Sequence, residues 1–560
     1  MAQDPPHGQV IAATLPPGQF YPGTPHAYSI YIPAQYNANH PIPFTVFMDG
    51  ASFLREPIRT AQVLDQLIAE HAIPAMIGIF VDPGVLPAIS PSAQNRYERS
   101  FEYDALSDRY SRFLLEELIP AVATHYRLST SPDDRALAGI STGAAAAFIA
   151  AWNRPDQFHR VISFIGTYVA MRGADSLPAL VRKTEPRPLR VYLEDGSNDH
   201  IVAGEPYGTF YAGSWPINNQ VMLEDLEFGG YDVKLTLGQG GHEMKGGAAI
   251  LTDALRWMWR DYPQPIVPHA PKALNQPGWD SRGSIFSTIL PDEPWQPVGT
   301  SSVSSIGVHP SGDVIVADAQ SGSIQRLDST GTTHEIAHDN GNPTALTVGA
   351  DGRIFVYQRA RRKIVAYRST VAEDVATGVD VAEMTITQKG RLYFSDPAQH
   401  RLGYVDTAHP SAASYTPLAM DDPAGVTLSP DQAMLVVTDA KGRYSWSFQL
   451  GPDGRPRNGE PFYRLEVKDD STTSEVRGVV EDSIGQVYFG TPLGVQVTEA
   501  SGRVAMILNG PEYGAVGSLR FAGPHYDWLY AIHKGKLYRR HLRTFGVAVD
   551  APKKPPLPPL

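Results

Sequence analysis

The feature that most narrows what this chain can become is a repeat. In its second half six related units follow one another: SSIGVHPSGDVIVAD, TALTVGADGRIFVYQ, AEMTITQKGRLYFSD, AGVTLSPDQAMLVVTD, VRGVVEDSIGQVYFGT and VGSLRFAGPHYDWLYAI. Each holds a short apolar strand, a turn, a second strand ending in a polar residue, and often a third strand. Equivalent apolar positions fall at Ile306, Leu346, Met384, Val426, Val479 and Leu519, a spacing of about 40 residues with one longer step. An insertion around FQLGPDGRPRNGEPF, residues 448–462, is expected to account for that step. So small a unit cannot bury a face by itself, and the period with its internal turns predicts an all-β, six-bladed propeller.

The first half is built differently. Short β-rich runs (YSIYIPA, IPFTVFMDG, AMIGIFV, RALAGIS, VISFIGT, LRVYLED, DVKLTLGQG) alternate with helical stretches such as IRTAQVLDQLIAEH. That order predicts an α/β unit, a mostly parallel sheet with helices on both faces. Between the halves, DYPQPIVPHAPKALNQPGW is rich in proline and lacks periodicity, which marks a linker. The expected boundaries are 1–262 for the α/β domain, 263–285 for the Pro-rich linker, 286–548 for the propeller and 549–560 for a Pro-rich tail that frays. A chain of 560 residues is long enough for such a multidomain arrangement.

Composition removes several functions. A net charge of -12 and no long Lys/Arg run leave no field for a nucleic-acid backbone, so no nucleic-acid partner is expected. With Cys 0, disulfides, thiolate metal sites and a cysteine nucleophile are excluded. The longest apolar stretch, GAAAAFIAAW, is about half of a bilayer span, so no membrane partner is expected. The start MAQDPPHGQV has neither a basic region nor an apolar core, which fits the mature form of a secreted or periplasmic protein and leaves a cytoplasmic one open.

The chemistry concentrates in RALAGISTGAAAAFIAAW. Gly-x-Ser-x-Gly is common by chance, but here the strand runs straight into Ser141 and a helix starts at once, which is the strand, sharp turn and helix of a nucleophile elbow. The backbone N–H of Thr142 would face a developing oxyanion, and FMDGASF, residues 47–53, would supply a second donor near Gly50 and Ala51, with Ala51 taken as that donor. A serine hydroxyl needs a base, and the base needs an orienting acid. In this fold they follow in the order Ser, acid, His. Asp195 and Asp199 follow the strand in LRVYLEDGSNDH, either able to orient an imidazole, and His242 lies in the glycine-rich GQGGHEMKGG. His200, beside the acid, is the rival base.

These motifs resemble the enterochelin esterase and esterase D group of α/β-hydrolases, which includes microbial feruloyl and acetylxylan esterases. The resemblance spans YIPAQYN, VFMDG, RSFEYDALSDRYSRFLLEELIPAV, AGISTG, DGSND and GGH. It implies Ser141 as nucleophile, His242 as base and Asp199 as acid, with Asp195 as second choice. It departs at Ala144, where the family often has a second glycine. Arg99 and Glu102 match an element of the siderophore-esterase branch and are expected to form a buried structural ion pair.

The second half resembles the gluconolactonase and regucalcin group of propellers, whose members bind a divalent cation through a Glu, two Asn and an Asp. The matching positions here read Ser304 and Ser305; Val381, Ala382 and Glu383; Pro423, Ala424 and Gly425; and Arg477 and Gly478. A hard cation wants several oxygen ligands, so no metal is assigned and the propeller is expected to lack lactonase chemistry.

The function expected is a serine carboxylic-ester hydrolase without a cofactor, acting on a small-molecule or oligosaccharide ester: an acylated carbohydrate or a hydroxycinnamate (feruloyl-type) ester. A siderophore trilactone is the alternative substrate. Readings of another class are a metal-dependent lactonase in the propeller and a ligand-binding protein. A histidine base predicts activity that falls as pH drops through about 6 to 7. Trp257 and Trp259 are expected to pack on the sheet or the neighbouring domain.

Overall fold

The computed structural model describes residues 5–200, 210–269, 285–299, 302–328, 331–410, 412–551 and 554–555. Most of the expected linker and tail lies outside them. The chain divides into two units, Met1–Arg182 with Pro186–Trp279, and Lys183–Glu185 with Asp280–Leu560. Among the described residues no helix is long and apolar enough to cross a membrane.

The first unit is an eight-stranded sheet. In chain order its strands are β1 (Gln9–Leu15), β2 (His26–Ile32), β3 (Phe44–Met48), β4 (Ile77–Val81), β5 (Arg135–Ile140), β6 (Arg160–Phe164), β7 (Arg190–Gly196) and β8 (Asp232–Gly238). Their spatial order is β1-β2-β4-β3-β5-β6-β7-β8. β2 runs antiparallel to β1 and β4, and all other neighbours are parallel.

Strands β3 to β6 are buried along their whole length because both faces are covered. Alternate residues serve opposite faces. Phe44, Val46 and Met48 join one core with helix α3 (Thr142–Asn153) and α4 (Trp215–Gly229), whereas Phe47, Phe80 and Ala138 join another with α2 (Thr60–Ala69) and α5 (Met244–Met258). Trp259 is buried in that second core and Trp257 packs at its edge. Ala144, where the family resemblance departs, has no exposed surface, so the alanine-rich α3 seats closely on the sheet. The parallel strands end on one side, and the loops there carry Ser141, Asp199 and His242.

The second unit holds six four-stranded antiparallel sheets. Their innermost strands are Ser305–Val308, Pro343–Val348, Met384–Ile386, Pro423–Leu428, Val479–Glu481 and Leu519–Ala522. The last sheet takes its fourth strand, Gln296–Val298, from the segment before the first, and that strand pairs with Lys536–His541. This closes the ring. FQLGPDGRPRNGEPF forms the hairpin of the fourth blade, with Tyr444–Leu450 pairing Pro456–Arg464, and this hairpin is longer than its counterparts, such as Ser323–Leu327 with Thr333–His338. The rest of the long step lies in the irregular stretch 465–478 that follows.

Candidate active site

β5 runs into Ser141, which takes φ 57° and ψ −123° before α3 begins at Thr142. A side-chain-bearing residue in that region is strained, and such strain persists only where the surroundings impose it. Here Ser141 N–H donates to Phe164 O at 2.9 Å, and Thr167 N–H donates to Ser141 O at 3.2 Å. The two glycines of the motif permit close approach. A Cβ on Gly139 would lie 2.1 Å from Gly143 O, and one on Gly143 would lie 2.7 Å from Asp49 Oδ2.

Ser141 Oγ is 2.9 Å from His242 Nε2. On the other side of the ring, Nδ1 is 2.8 Å from Asp199 Oδ2 and 3.0 Å from Oδ1. Asp199 is 0% exposed. With Nδ1–H donating to the carboxylate, Nε2 is free to accept the serine proton. His200 stands apart from Ser141: its Nε2 is 3.7 Å from Asp199 Oδ1 and its ring lies 4.5 Å from that of His242. Burial, and then the neighbouring His242, lower its pKa, with Asp199 opposing. Asp195 accepts hydrogen bonds from Gly196 N–H at 2.7 Å and Asn219 Nδ2 at 2.9 Å, not from His242.

The expected oxyanion donors are corrected at one position. Ala51 N–H donates to Asp82 Oδ1 at 2.9 Å, so it is already engaged. The donor without an acceptor among the described residues is the N–H of Gly50, first residue of the short helix α1 (Gly50–Leu54). Thr142 N–H, at the start of α3, is equally open. Arg99 and Glu102 are also corrected, because they do not pair with each other. The Arg99 guanidinium grips Asp49 through two bonds of 2.8 and 2.7 Å, and also reaches Ile140 O at 3.3 Å. Glu102 instead accepts from Gly84 N–H and pairs with His26, both at 2.9 Å. Arg99 therefore ties the loop of Gly50 to the elbow of Ser141.

Two residues that sequence reasoning did not single out touch the serine directly or through one bond. Thr167 Oγ1 lies 3.3 Å from Ser141 Oγ, and Trp215 Nε1–H donates to Thr167 Oγ1 at 3.1 Å. An indole N–H only donates, so Thr167 Oγ1 accepts from Trp215 and still has its own hydrogen to offer the serine oxygen when the serine hydrogen points to His242. Trp215 and Phe210 also edge the site, with ring centres 5.4 Å apart and the Trp215 ring 5.4 Å from His242. No motif or spacing links these positions to Ser141.

This strand order and elbow agree with a direct comparison: the Esterase family model matches residues 21–258. That segment, which holds Ser141, Asp199 and His242, is similar to the Esterase family. The model of the SMP-30/gluconolactonase/LRE-like region matches residues 304–532. The iron(III) enterobactin esterase of Dickeya dadantii (strain 3937) is 26% identical over 231 residues, 39% of this chain and 47% of that protein, so the chain spans about half of that relative's length. The YbbA protein of Bacillus subtilis (strain 168) is 21% identical over 175 residues, 31% of this chain and 68% of that one. A gluconolactonase structure from Xanthomonas campestris has a TM-score of 0.39 at 16% identity, covering 45% of this chain and 91% of that one. The esterase domain thus holds the site just described.

The propeller residues at the positions that resemble a cation site do not fit a divalent ion. Ser304 Oγ lies 2.8 Å from both Ala317 O and Pro343 O, and Ser305 Oγ accepts from Leu346 N–H at 2.9 Å. The Glu383 carboxylate receives Arg520 Nη2 at 2.8 Å and Ser518 Oγ at 2.9 Å, so the protein supplies its own counter-charge. Arg477 pairs with Asp422 at 3.4 Å. Among the described residues, one group of three metal-capable side chains has its donor atoms within 4.8 Å: Asp199, His200 and His242 of the esterase domain. Asp199 and His242 there are committed to each other.

Proposed function

We propose that the esterase domain hydrolyses carboxylic esters by acyl transfer to Ser141. The observation that carries this is the chain of short contacts from Ser141 Oγ through the His242 ring to Asp199. Ser141 Oγ attacks the acyl carbon while His242 Nε2 takes its proton. Asp199 steadies the imidazolium, and the N–H groups of Thr142 and Gly50 receive the oxyanion. His242 returns the proton to the leaving alcohol, and water repeats the cycle on the acyl-enzyme. No step requires a metal or an organic cofactor.

The substrate we favour is a hydroxycinnamate or other aryl ester, including one carried on a carbohydrate. The aromatic edge formed by His200, Phe210 and Trp215 beside His242 supports it, since planar aryl groups stack on such surfaces. The 26% identical relative named as an enterobactin esterase supports a siderophore trilactone as second reading. In both readings the propeller is non-catalytic.

Hydrolysis of p-nitrophenyl acetate, methyl ferulate, methyl caffeate, a serine trilactone and a simple lactone, with and without chelator, tests this. Ser141→Ala should lower kcat by about 10⁴-fold or more on the ester substrates, and chelator should change nothing. Lactone turnover that survives Ser141→Ala and stops with chelator would move the chemistry to the propeller.

A further inference from the structure

We propose that the channel of the propeller binds a small hydroxylated amine, with the Glu481 carboxylate receiving the ammonium and the hydroxyls of Thr347, Thr385 and Thr427 meeting the rest of the ligand. The site follows from the blade repeat. In the innermost strands of the second, third and fourth blades, Leu346, Met384 and Val426 are buried inside the blades, and the residue after each lines the channel: Thr347, Thr385 and Thr427. Arg520 takes the same place in the sixth blade, and in the fifth Glu481 lines the channel at the end of Val479–Glu481. The cavity between them has a volume of about 130 Å³. At about 10–15 Å³ per enclosed water, that is room for about ten waters, or for a ligand of similar size.

One mouth of the channel is crossed by the segment 545–550, which is held at three blades. Phe545 O accepts from Ser483 N–H of the fifth blade at 2.8 Å, and Gly546 N–H donates to Tyr526 O of the sixth at 2.8 Å. Asp550 O accepts from Gln388 Nε2 of the third blade at 3.0 Å. The third and sixth blades stand opposite each other in a ring of six, so this strap spans the mouth. Val547 and Val549 complete the cavity wall there.

The groups that line this cavity lack partners of their own. Among the described residues the three threonine hydroxyls and the Glu481 carboxyl have no hydrogen-bond partner in the protein. The contrast with Asp482 is direct, since that carboxylate accepts from Ile484 N–H at 3.0 Å, Gln486 N–H at 2.9 Å and the Tyr488 hydroxyl at 3.1 Å. Water can satisfy a hydroxyl, but it brings no charge to match an enclosed acid. The titratable groups facing Glu481 are Asp482 beside it, Asp431 in a turn of the fourth blade, and Tyr463 on the outermost strand of that blade. Arg520 is the one cation among the lining residues, and its guanidinium is spent on Glu383 at 2.8 Å. Burial first, then the charges of Asp482 and Asp431, push the Glu481 carboxyl up to about 8. What the cavity lacks is a compact positive charge with several donors, which is an ammonium. One carboxylate is a poor set for a hard divalent ion, which wants six or more oxygens. The amine enters as its cation and Glu481 releases its proton to solvent as the ion pair forms, so affinity should rise between about pH 6 and 8.

The test is saturation-transfer NMR on the full chain, titrated with serinol (2-amino-1,3-propanediol) and with glycerol, which carries a hydroxyl in place of the ammonium. The wild type, Glu481→Gln and Thr385→Val are compared, each with a thermal unfolding curve. Serinol should bind the wild type at least about tenfold more tightly than glycerol, and Glu481→Gln should abolish that preference. Thr385→Val keeps the shape without the hydroxyl and should weaken serinol by about three- to tenfold. No binding of serinol, glycerol bound as tightly, or serinol bound equally by Glu481→Gln overturns the proposal. Calcium titrated alone should leave bound serinol in place, and its displacement at equal concentration would overturn the assignment of an amine. Should Glu481→Gln fail to fold, the rise of serinol affinity with pH in the wild type and its loss in Thr385→Val still decide.

Discussion

Arg99 reaches two loops at once, Asp49 before Gly50 and Ile140 before Ser141. Its planar fork meets both carboxylate oxygens of Asp49, a match that an ammonium cannot reproduce. Arg99→Lys should therefore lower kcat/KM by about 10- to 100-fold with little change in folding, because the oxyanion donor drifts from the nucleophile. Steady-state kinetics with a thermal melt checks this, and an unchanged kcat/KM would contradict it. At this scale the sequence was legible where a residue sits in a motif with a fixed order: Ser141, then the DGSND loop, then GGH. The choice between Asp199 and Asp195 came from family resemblance, since the two carboxylates lie only four residues apart at the end of β7. Gly50 could not be told from Ala51, because that depends on which N–H Asp82 takes from across the sheet. Thr167, Trp215 and Asn219 carry no local signal, and only the packing of α4 against the β6 loop brings them to the site.

The turns between the first two strands of the blades reveal a shared device. Gly312, Gly352, Gly390 and Gly485 all have φ between 77° and 89°, and in the fourth blade Gln432 takes φ 56° at the same place. Each closes a three-residue turn, as Gly352 N–H does onto Gly349 O and Gln432 N–H onto Ser429 O. Left-handed backbone costs a residue with a Cβ about 1–2 kcal/mol. Gly352→Ala should thus destabilise the protein by about 1–2 kcal/mol, while Gln432→Gly should stabilise it by up to about 1 kcal/mol, less the loss of the Gln388 N–H bond to the Gln432 side chain. Denaturant unfolding followed by tryptophan fluorescence reads both, and a sign opposite to either would count against the turn assignment. The turns were readable from sequence, but the outermost strands were not. Thr333–His338 and Ala372–Thr377 are mostly exposed, so they carry no apolar alternation to betray them. The same reason hid β1, whose residues are exposed along most of its length.

For the whole molecule, the fold class was legible because two periods, alternating strands and helices in one half and a repeat of about 40 residues in the other, each allow few architectures. What the sequence could indicate about propeller chemistry was the loss of ligands; the Arg520 guanidinium on Glu383 was visible only in three dimensions. The two halves thus differ in what they hold: in one, Ser141, His242 and Asp199 in hydrogen-bond contact, and in the other, Glu383 with its charge met by Arg520. The central claim is that Ser141 is an activated nucleophile, and the measurement that tests it most directly is labelling with a fluorophosphonate, read by intact mass and peptide mapping. One adduct on Ser141 is expected, and its rate of formation should fall by at least about 10³-fold in His242→Ala. No adduct, an adduct on another residue, or labelling as fast in His242→Ala as in the wild type would contradict the account.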